Sequence, residues 1–276
     1  MSALPTFCVI GAMKSGTTSL HHYLAAHPEI SMSRPKELDF FVAEKNYDRG
    51  VDWYASHFDD AAAVRGESST NYTKCHIFDG VPARMNALLP NVKLIYVLRD
   101  PIERLISHYE HNRSRGRESR TFGEALRLPE RNHYVQCSQY LTQLEAFLEY
   151  YSLEQIHVLD AHELRKERSE ALSAIFRFLA VDDSFYDPAY EQEHGKSSIK
   201  REPTVLDRWA RQLGWKRAMR RLGPGPIQHA YRSLTGEPLE RPELNGARYE
   251  QVAEVLSQET EQLRRLTGQR FGHWQV

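Results

Sequence analysis

Short apolar runs alternate with amphipathic segments over most of the chain. Four apolar runs predict strands, at residues 6–10, 63–67, 92–98 and 156–159. Between and after them, apolar residues recur at intervals of three and four, which is the spacing of one helix face. Helices are predicted at residues 17–27, 48–58, 81–89, from 101 onward, 134–151, 172–179, 205–222 and 249–266. This alternation predicts an α/β fold, in which a parallel sheet is flanked by helices on both faces.

Composition narrows the class of protein. The chain of 276 residues carries a formal net charge of −1, which argues against a general binder of nucleic acid or membrane surfaces. Its three cysteines are widely spaced, and no segment approaches the ~20 apolar residues of a membrane helix. We therefore expect a cytoplasmic protein without a membrane span, a disulfide framework or a nucleic-acid partner.

The first predicted strand runs into the sequence Gly-Ala-Met-Lys-Ser-Gly-Thr-Thr-Ser at residues 11–19, and a helix is predicted to follow. Glycines permit a tight turn, and free amides at a helix start attract anions. A loop of the P-loop type is therefore predicted. Its candidate anion ligands are Lys14, Ser15, Gly16, Thr17, Thr18 and Ser19. An ordinary turn that happens to carry a lysine is the alternative.

The position of the lysine separates this loop from that of nucleotide triphosphatases. In those loops the lysine directly follows the second glycine, whereas here Thr17 follows Gly16 and Lys14 precedes it. This order weakens the case for a site that binds a β/γ-phosphate with Mg²⁺. A kinase acting on a small molecule or nucleoside stays open as an alternative.

A second basic site is predicted at the same sheet edge. Lys14, Glu67 and Arg99 each lie at the end of a predicted strand, and parallel strands end at one edge, so we expect them to converge. Asp100 and Pro101 then predict the start of a helix that carries Ser107. Arg99 and Ser107 suit a phosphate, although an ion pair of Arg99 with a nearby carboxylate is equally compatible.

These motifs resemble those of sulfotransferases that use 3′-phosphoadenosine 5′-phosphosulfate (PAPS). Residues 11–18 are similar to the family's 5′-phosphosulfate loop, and residues 98–107, Leu-Arg-Asp-Pro-Ile-Glu-Arg-Leu-Ile-Ser, are similar to its 3′-phosphate motif. Residues 36–41, Lys-Glu-Leu-Asp-Phe-Phe, resemble a segment of the heparan-sulfate branch and its bacterial relatives. The likeness covers about residues 7–274 and is loose in the last third.

The resemblance implies one sulfotransferase domain over residues 1–276, with a PAPS-binding core at about 6–180 and a helical part at about 204–276. It implies in-line transfer of a sulfuryl group to a hydroxyl or amine, with 3′,5′-ADP as the leaving group. Lys14 would stabilise that group, Arg99 and Ser107 would hold the 3′-phosphate, and Glu37 would be the base. Burial near aromatic rings is expected to raise the pKa of Glu37, and an exposed pair with Lys36 is the alternative.

The chain departs from the family pattern at two places. Many Golgi-type relatives carry Glu-Lys-Ser/Thr where this chain has Glu-Ser-Ser at 67–69, so the role of that lysine must be absent or filled elsewhere. A late PAPS-binding loop maps to residues 195–201, where Lys200 or Arg201 is the candidate ligand. A binding scaffold without chemistry is a third hypothesis.

The thirteen histidines do not form a metal-binding pattern with clear spacing, so no metal is expected. The acceptor is left open among small molecules, lipids and saccharides, including acceptors bound to a carrier. Arginines between 113 and 120 could meet an anionic acceptor at the cleft mouth, or they could simply be solvated.

Overall fold

A computed structural model describes residues 3–192, 201–203 and 236–276. Its main sheet has five parallel strands in the order β2-β3-β1-β4-β5. These strands are β1 Phe7–Gly11, β2 Ile30–Met32, β3 Val64–Ser68, β4 Lys93–Leu98 and β5 Ile156–Asp160. Two further strands, β6 Arg201–Pro203 and β7 Gly236–Pro238, pair antiparallel as a separate sheet. The predicted α/β class with a parallel sheet is confirmed.

Helices occupy the connections between the strands and the end of the chain. The described α-helices are α1 Thr17–Ala26, α2 Gly50–Ala55, α3 Val81–Leu88, α4 Pro101–Ser114, α5 Phe122–Ala125, α6 His133–Gln136, α7 Tyr140–Leu148, α8 Ala161–Lys166, α9 Arg168–Leu179 and α10 Gly246–Thr267. Short 3₁₀ turns lie at Tyr47–Arg49, Pro129–Arg131, Leu153–Gln155 and Pro188–Glu191.

Helices cover both faces of the sheet, so successive residues of its central strands point into two different cores. Cys8 and Ile10 of β1 join a core with side chains of α3, α7 and α10. Phe7 and Val9 join the opposite core, with side chains of α1, α8 and α9. All five residues of β1 are buried, as expected for a central strand covered on both sides. The prediction of helices on both faces is therefore confirmed.

The predicted helix at 134–151 is instead two helices, α6 and α7. The break falls at residues 137–139, where the buried hydroxyl of Ser138 accepts from Arg104 Nε (2.6 Å) and donates to the carbonyl of Pro101 (2.9 Å). Both partners belong to α4. This tertiary link fixes the chain at the break, and the apolar periodicity on either side of it could not reveal it.

Three other predictions differ from the structure. The short edge strand β2 falls in part of the chain predicted as a loop from residue 31, because three residues are too few to show a period of two. The predicted helix at 48–58 is a 3₁₀ turn followed directly by α2, whose first residue, Gly50, has a φ of 80°. The segment 182–203, predicted as a loop, contains a 3₁₀ turn and β6. The helix predicted at 205–222 lies outside the described residues.

Candidate active site

The loop between β1 and α1 is built around close backbone contacts. The amide of Ala12 donates to the carbonyl of Val97 at 2.7 Å, which ties the loop start to β4. A Cβ added to Gly11 would lie 2.0 Å from Thr73 Oγ1, so a side chain does not fit there. Gly16 has a φ of 94° and immediately precedes α1. The first amides of an α-helix have no acceptor within the helix, and the N-cap residue Gly16 has no side chain that could cap them.

A cavity of about 1250 Å³ lies at the carboxyl edge of the sheet. The predicted site residues that line it are Lys14, Ser15, Gly16, Thr17, Thr18, Ser19, Glu37, Arg99 and Ser107. Residues from three separate parts of the sequence therefore meet at one site. Glu67, which was expected to converge there too, does not line this cavity.

Charge in the cavity is mainly positive although the whole chain is close to neutral. Among the described residues, nine lysine or arginine side chains and six carboxylate side chains line it. The cations are Lys14, Lys45, Lys74, Arg99, Arg115, Arg117, Arg165, Arg168 and Arg241, and the carboxylates are Glu37, Asp39, Asp100, Glu103, Glu110 and Asp160. Such a lining favours an anionic ligand.

Arg99 and Ser107 are positioned by α4. Asp100 caps this helix by accepting from the amide of Glu103 at 2.8 Å, as its sequence predicts. Arg99 Nη2 lies 2.7 Å from Glu103 Oε2, and Arg241 contacts the same carboxylate at 2.6 Å. Burial acts to raise the pKa of Glu103, but its hydrogen bond and charge pairing with Arg241 and the charge of Arg99 lower it. The carboxylate is therefore held in its charged form between two guanidinium groups.

Glu37 lies at the cavity, but its environment is not the predicted one. Its side chain is 45% exposed, and Lys36 Nζ donates to it at 2.9 Å. Partial burial acts to raise the pKa of Glu37, yet the charges of Lys36, Lys74 and Lys45 and the hydrogen bond from Lys36 lower it below its ordinary value. The expectation of a raised pKa is therefore wrong, because cations, rather than aromatic rings, dominate around the carboxylate.

A chain of polar contacts continues along the cavity wall beyond Glu37. Lys45 pairs with Asp39, Asn71 Nδ2 donates to Asp39 Oδ2 at 2.8 Å, and Lys74 Nζ donates to Asn71 Oδ1 at 2.7 Å. Lys74 is buried, and burial lowers its pKa, with Arg104 and Lys45 acting in the same direction. Neither Lys45 nor Lys74 lies in a recognisable sequence motif, so neither could be predicted as a site residue. They bring lysine side chains to the wall that lacks the family lysine at residue 68.

Glu67 organises this wall from inside the protein. It is fully buried, and it accepts from the hydroxyls of Tyr54 and Tyr72, each at 2.7 Å, and of Ser69 at 3.1 Å. Burial raises its pKa to about 7, although these hydrogen bonds act in the opposite direction.

The partners of Glu67 hold the turn that carries Glu37. Ser69 Oγ accepts from the amide of Asp39 at 3.0 Å, and Tyr72 Oη accepts from the amide of Phe40 at 3.0 Å. The amide of Glu37 donates to the carbonyl of Ser68, also at 3.0 Å. The left-handed backbone at Glu37, with a φ of 65°, is thus fixed by contacts to the end of β3.

Two predicted ligands cannot be placed in the cavity. Lys200 lies outside the described residues, and Arg201 is described only as a backbone position of β6.

No helix in the described part of the chain is both long enough and apolar enough to cross a bilayer.

Comparison with known proteins agrees with this arrangement. The family model of the sulfotransferase domain matches residues 4–194. The chain belongs to the sulfotransferase domain family. Residues 11–18 and 98–107 both fall within the matched segment of this sulfotransferase domain. The resemblance seen in the sequence is therefore confirmed at the level of the family.

The relatives are much longer proteins. The chain is 32% identical over 200 residues to human bifunctional heparan sulfate N-deacetylase/N-sulfotransferase 2, a match that covers 64% of this chain and 22% of that protein. It is 29% identical over 259 residues to the corresponding enzyme of Drosophila melanogaster, covering 76% of this chain and 24% of the relative. The chain thus spans about a quarter or less of the length of these curated relatives.

A solved structure shares the whole fold. The crystal structure of a sulfotransferase from Alicyclobacillus acidocaldarius superposes with a TM-score of 0.70 at 21% identity, covering 99% of this chain and all of that one. This agreement supports the described arrangement of sheet and helices as that of a sulfotransferase fold.

Proposed function

We propose that this chain is a PAPS-dependent sulfotransferase that transfers a sulfuryl group to a hydroxyl or amine of its acceptor. One observation carries the proposal: the loop at residues 14–19 and the pair Arg99 and Ser107 line the same cationic cavity. A ligand with anionic groups at both ends suits this arrangement. Its family membership gives the proposal independent support.

The residues present fit PAPS. When bound, it would supply the sulfuryl group and 3′,5′-ADP as the leaving group. The hydroxyls of Thr17 and Thr18 and the amides at the start of α1 would hold the 5′-phosphate, and Lys14 would neutralise the charge that develops there. Arg99 and Ser107 would hold the 3′-phosphate and so discriminate against ATP.

Glu37 is proposed as the base that takes the acceptor's proton. Its lowered pKa keeps it ionised at neutral pH, the form that a base requires, although a lower pKa also makes a weaker base. Lys45 and Lys74 are proposed to supply positive charge on the wall where the family lysine is absent.

The acceptor is proposed to be a saccharide amine or hydroxyl. The support is the named activity of the relatives, heparan sulfate N-sulfotransferases, together with the cationic residues Arg115 and Arg117 of the cavity, which suit an anionic sugar. The kinase alternative has no support in the family match, and the lysine order of the loop also disfavours it.

The decisive experiment is an acceptor screen with PAPS labelled in its sulfuryl group. The panel contains oligosaccharides with free and with N-acetylated amines, a lipid alcohol and a small phenol. General-base help is typically worth ~10²–10⁴-fold, so Glu37→Gln is expected to lose about that much turnover and to keep its affinity for 3′,5′-ADP.

Glu44→Gln, which removes an exposed carboxylate close by in sequence, is the matched control and should retain activity. Near-normal turnover of Glu37→Gln would refute the role of the base. Binding of ATP in the presence of Mg²⁺, with no binding of 3′,5′-ADP in its absence, would refute the sulfotransferase proposal itself.

A further inference from the structure

Two histidines and a cysteine converge next to the wall that carries Lys74. His76 Nε2 lies 2.9 Å from His133 Nδ1, and Cys137 Sγ lies 3.8 Å from each of these nitrogens. Within residues 3–192, 201–203 and 236–276, His76, His133 and Cys137 form a group whose possible ligand atoms all lie within 4.8 Å of one another. The roles proposed for PAPS and its acceptor do not use these side chains.

The fold itself brings the three donors together. His133 and Cys137 are four residues apart at α6, and the amide of Cys137 donates to the carbonyl of His133 at 3.1 Å, so their side chains share one helix face. His76 comes from the turn that follows Lys74. That turn is fixed on α7 because the amide of Cys75 donates to Gln143 Oε1 at 2.8 Å.

Each imidazole presents one ring nitrogen to the cluster, His76 Nε2 and His133 Nδ1. A neutral imidazole binds a metal ion through one nitrogen and keeps its proton on the other.

We propose that His76, His133 and Cys137 bind a metal ion of the zinc class, with one coordination position left for water or another ligand. Two imidazole nitrogens and a thiolate are donors that Zn²⁺ and other borderline or soft ions prefer.

The geometry requires only a small adjustment. With Zn–N near 2.0 Å and Zn–S near 2.3 Å, tetrahedral coordination places two nitrogens ~3.3 Å apart and nitrogen and sulfur ~3.6 Å apart. The sulfur already lies 3.8 Å from His76 Nε2 and His133 Nδ1, so only the two nitrogens, now 2.9 Å apart, have to separate by about 0.4 Å.

The thiol is essential to this site for an electrostatic reason. Lys74 and Arg104 lie close enough to influence Cys137 and would repel a dication. Binding of the ion replaces the proton of the Cys137 thiol, which goes to solvent, and the resulting thiolate offsets the positive charge. Each neutral imidazole keeps one proton, so one proton is released for each ion bound.

The test measures the metal directly and is independent of sulfation. Metal-free protein is dialysed against Zn²⁺ and analysed for bound metal, and Co²⁺ is titrated while thiolate-to-cobalt charge-transfer absorption is recorded. We expect one ion per chain, one proton released per ion, and a thiolate band.

Loss of supporting groups around a metal ligand typically costs about 10–100-fold in affinity, so removal of a ligand in Cys137→Ser or His133→Gln should cost at least about 100-fold. Cys75→Ser changes a neighbouring thiol outside the cluster and should leave affinity and band unchanged.

Circular dichroism of each metal-free variant checks its fold. Equal Zn²⁺ affinity of wild type and Cys137→Ser would overturn the proposal. So would a wild-type cobalt complex without a thiolate band, a result that does not depend on the variants folding.

Discussion

Replacement of Glu67 by glutamine should remove a pH-dependent loss of stability. In the folded chain the pKa of Glu67 is raised from 4.5 to about 7, chiefly by burial. Between these two values the folded chain holds a proton that the unfolded chain has lost. The stabilisation is therefore fully present below about pH 4.5, declines as the pH rises, and is lost above about pH 7.

The magnitude follows from the size of the shift. A change of one pKa unit corresponds to 1.36 kcal/mol, so a shift from 4.5 to about 7 corresponds to about 3 kcal/mol of unfolding free energy. The side-chain amide introduced by Glu67→Gln would resemble the protonated acid, since its oxygen can accept from Tyr54 and Tyr72 and its nitrogen can donate to Ser69 Oγ. The unfolding free energy of Glu67→Gln relative to that of wild type should therefore rise by about 3 kcal/mol between pH 4.5 and pH 8.

The assay is urea denaturation of wild type and Glu67→Gln at a series of pH values from 4.5 to 8. The difference in unfolding free energy between the two proteins isolates this carboxyl, because all other titrating groups are common to both. Glu44→Gln is the control. Its unfolding free energy should follow that of wild type at every pH, since the Glu44 carboxylate is exposed. A constant difference between Glu67→Gln and wild type over the whole range would refute the raised pKa.

Two further predictions concern the nucleotide site and the sheet. Ser107→Ala should weaken the binding of 3′,5′-ADP by at least about tenfold and leave that of 5′-AMP unchanged in calorimetric titrations, since one hydrogen bond to a charged group contributes ~1.5–3 kcal/mol. Equal losses for both nucleotides would contradict a 3′-phosphate site. Gly66→Ala should lower the unfolding free energy by at least ~1–3 kcal/mol, because an added Cβ would lie 2.1 Å from a phenylalanine ring, whereas Gly123→Ala, with no atom within 4 Å, should behave like wild type in thermal melts.

The parts of the site that the sequence predicted are those in which chemistry and local structure lie close together in the chain. The loop at 11–19 combines its glycines, its lysine and its helix start within nine residues. Arg99, Asp100 and Ser107 likewise combine a strand end, a helix cap and a helix face. Because parallel strands end at one edge, the meeting of these two segments could be predicted as well, and both line the cavity.

The parts that were missed depend on contacts between distant segments. Lys74 lines the cavity next to Met13, which lies 61 residues away in the chain and accepts from the Lys74 ammonium at 3.3 Å. His76 meets His133 across a separation of 57 residues, and no spacing within either segment indicates this. The four-residue separation of His133 and Cys137 is a local sign of the proposed metal site, but it becomes specific only together with a third donor.

Glu37 and Glu67 show how the same side chain acquires opposite properties within one wall. Glu67 is fully buried and accepts from three hydroxyls, so burial prevails and its pKa rises. Glu37 faces three lysines, so their charge prevails and its pKa falls. Those lysines belong to a cavity that suits an anion, and an anion bound there would offset part of their charge. The pKa of Glu37 should then rise, which makes the proposed base stronger when the sulfuryl donor is in place. For the same reason Glu37→Gln should bind 3′,5′-ADP at least as tightly as wild type, since it removes a negative charge from the cavity.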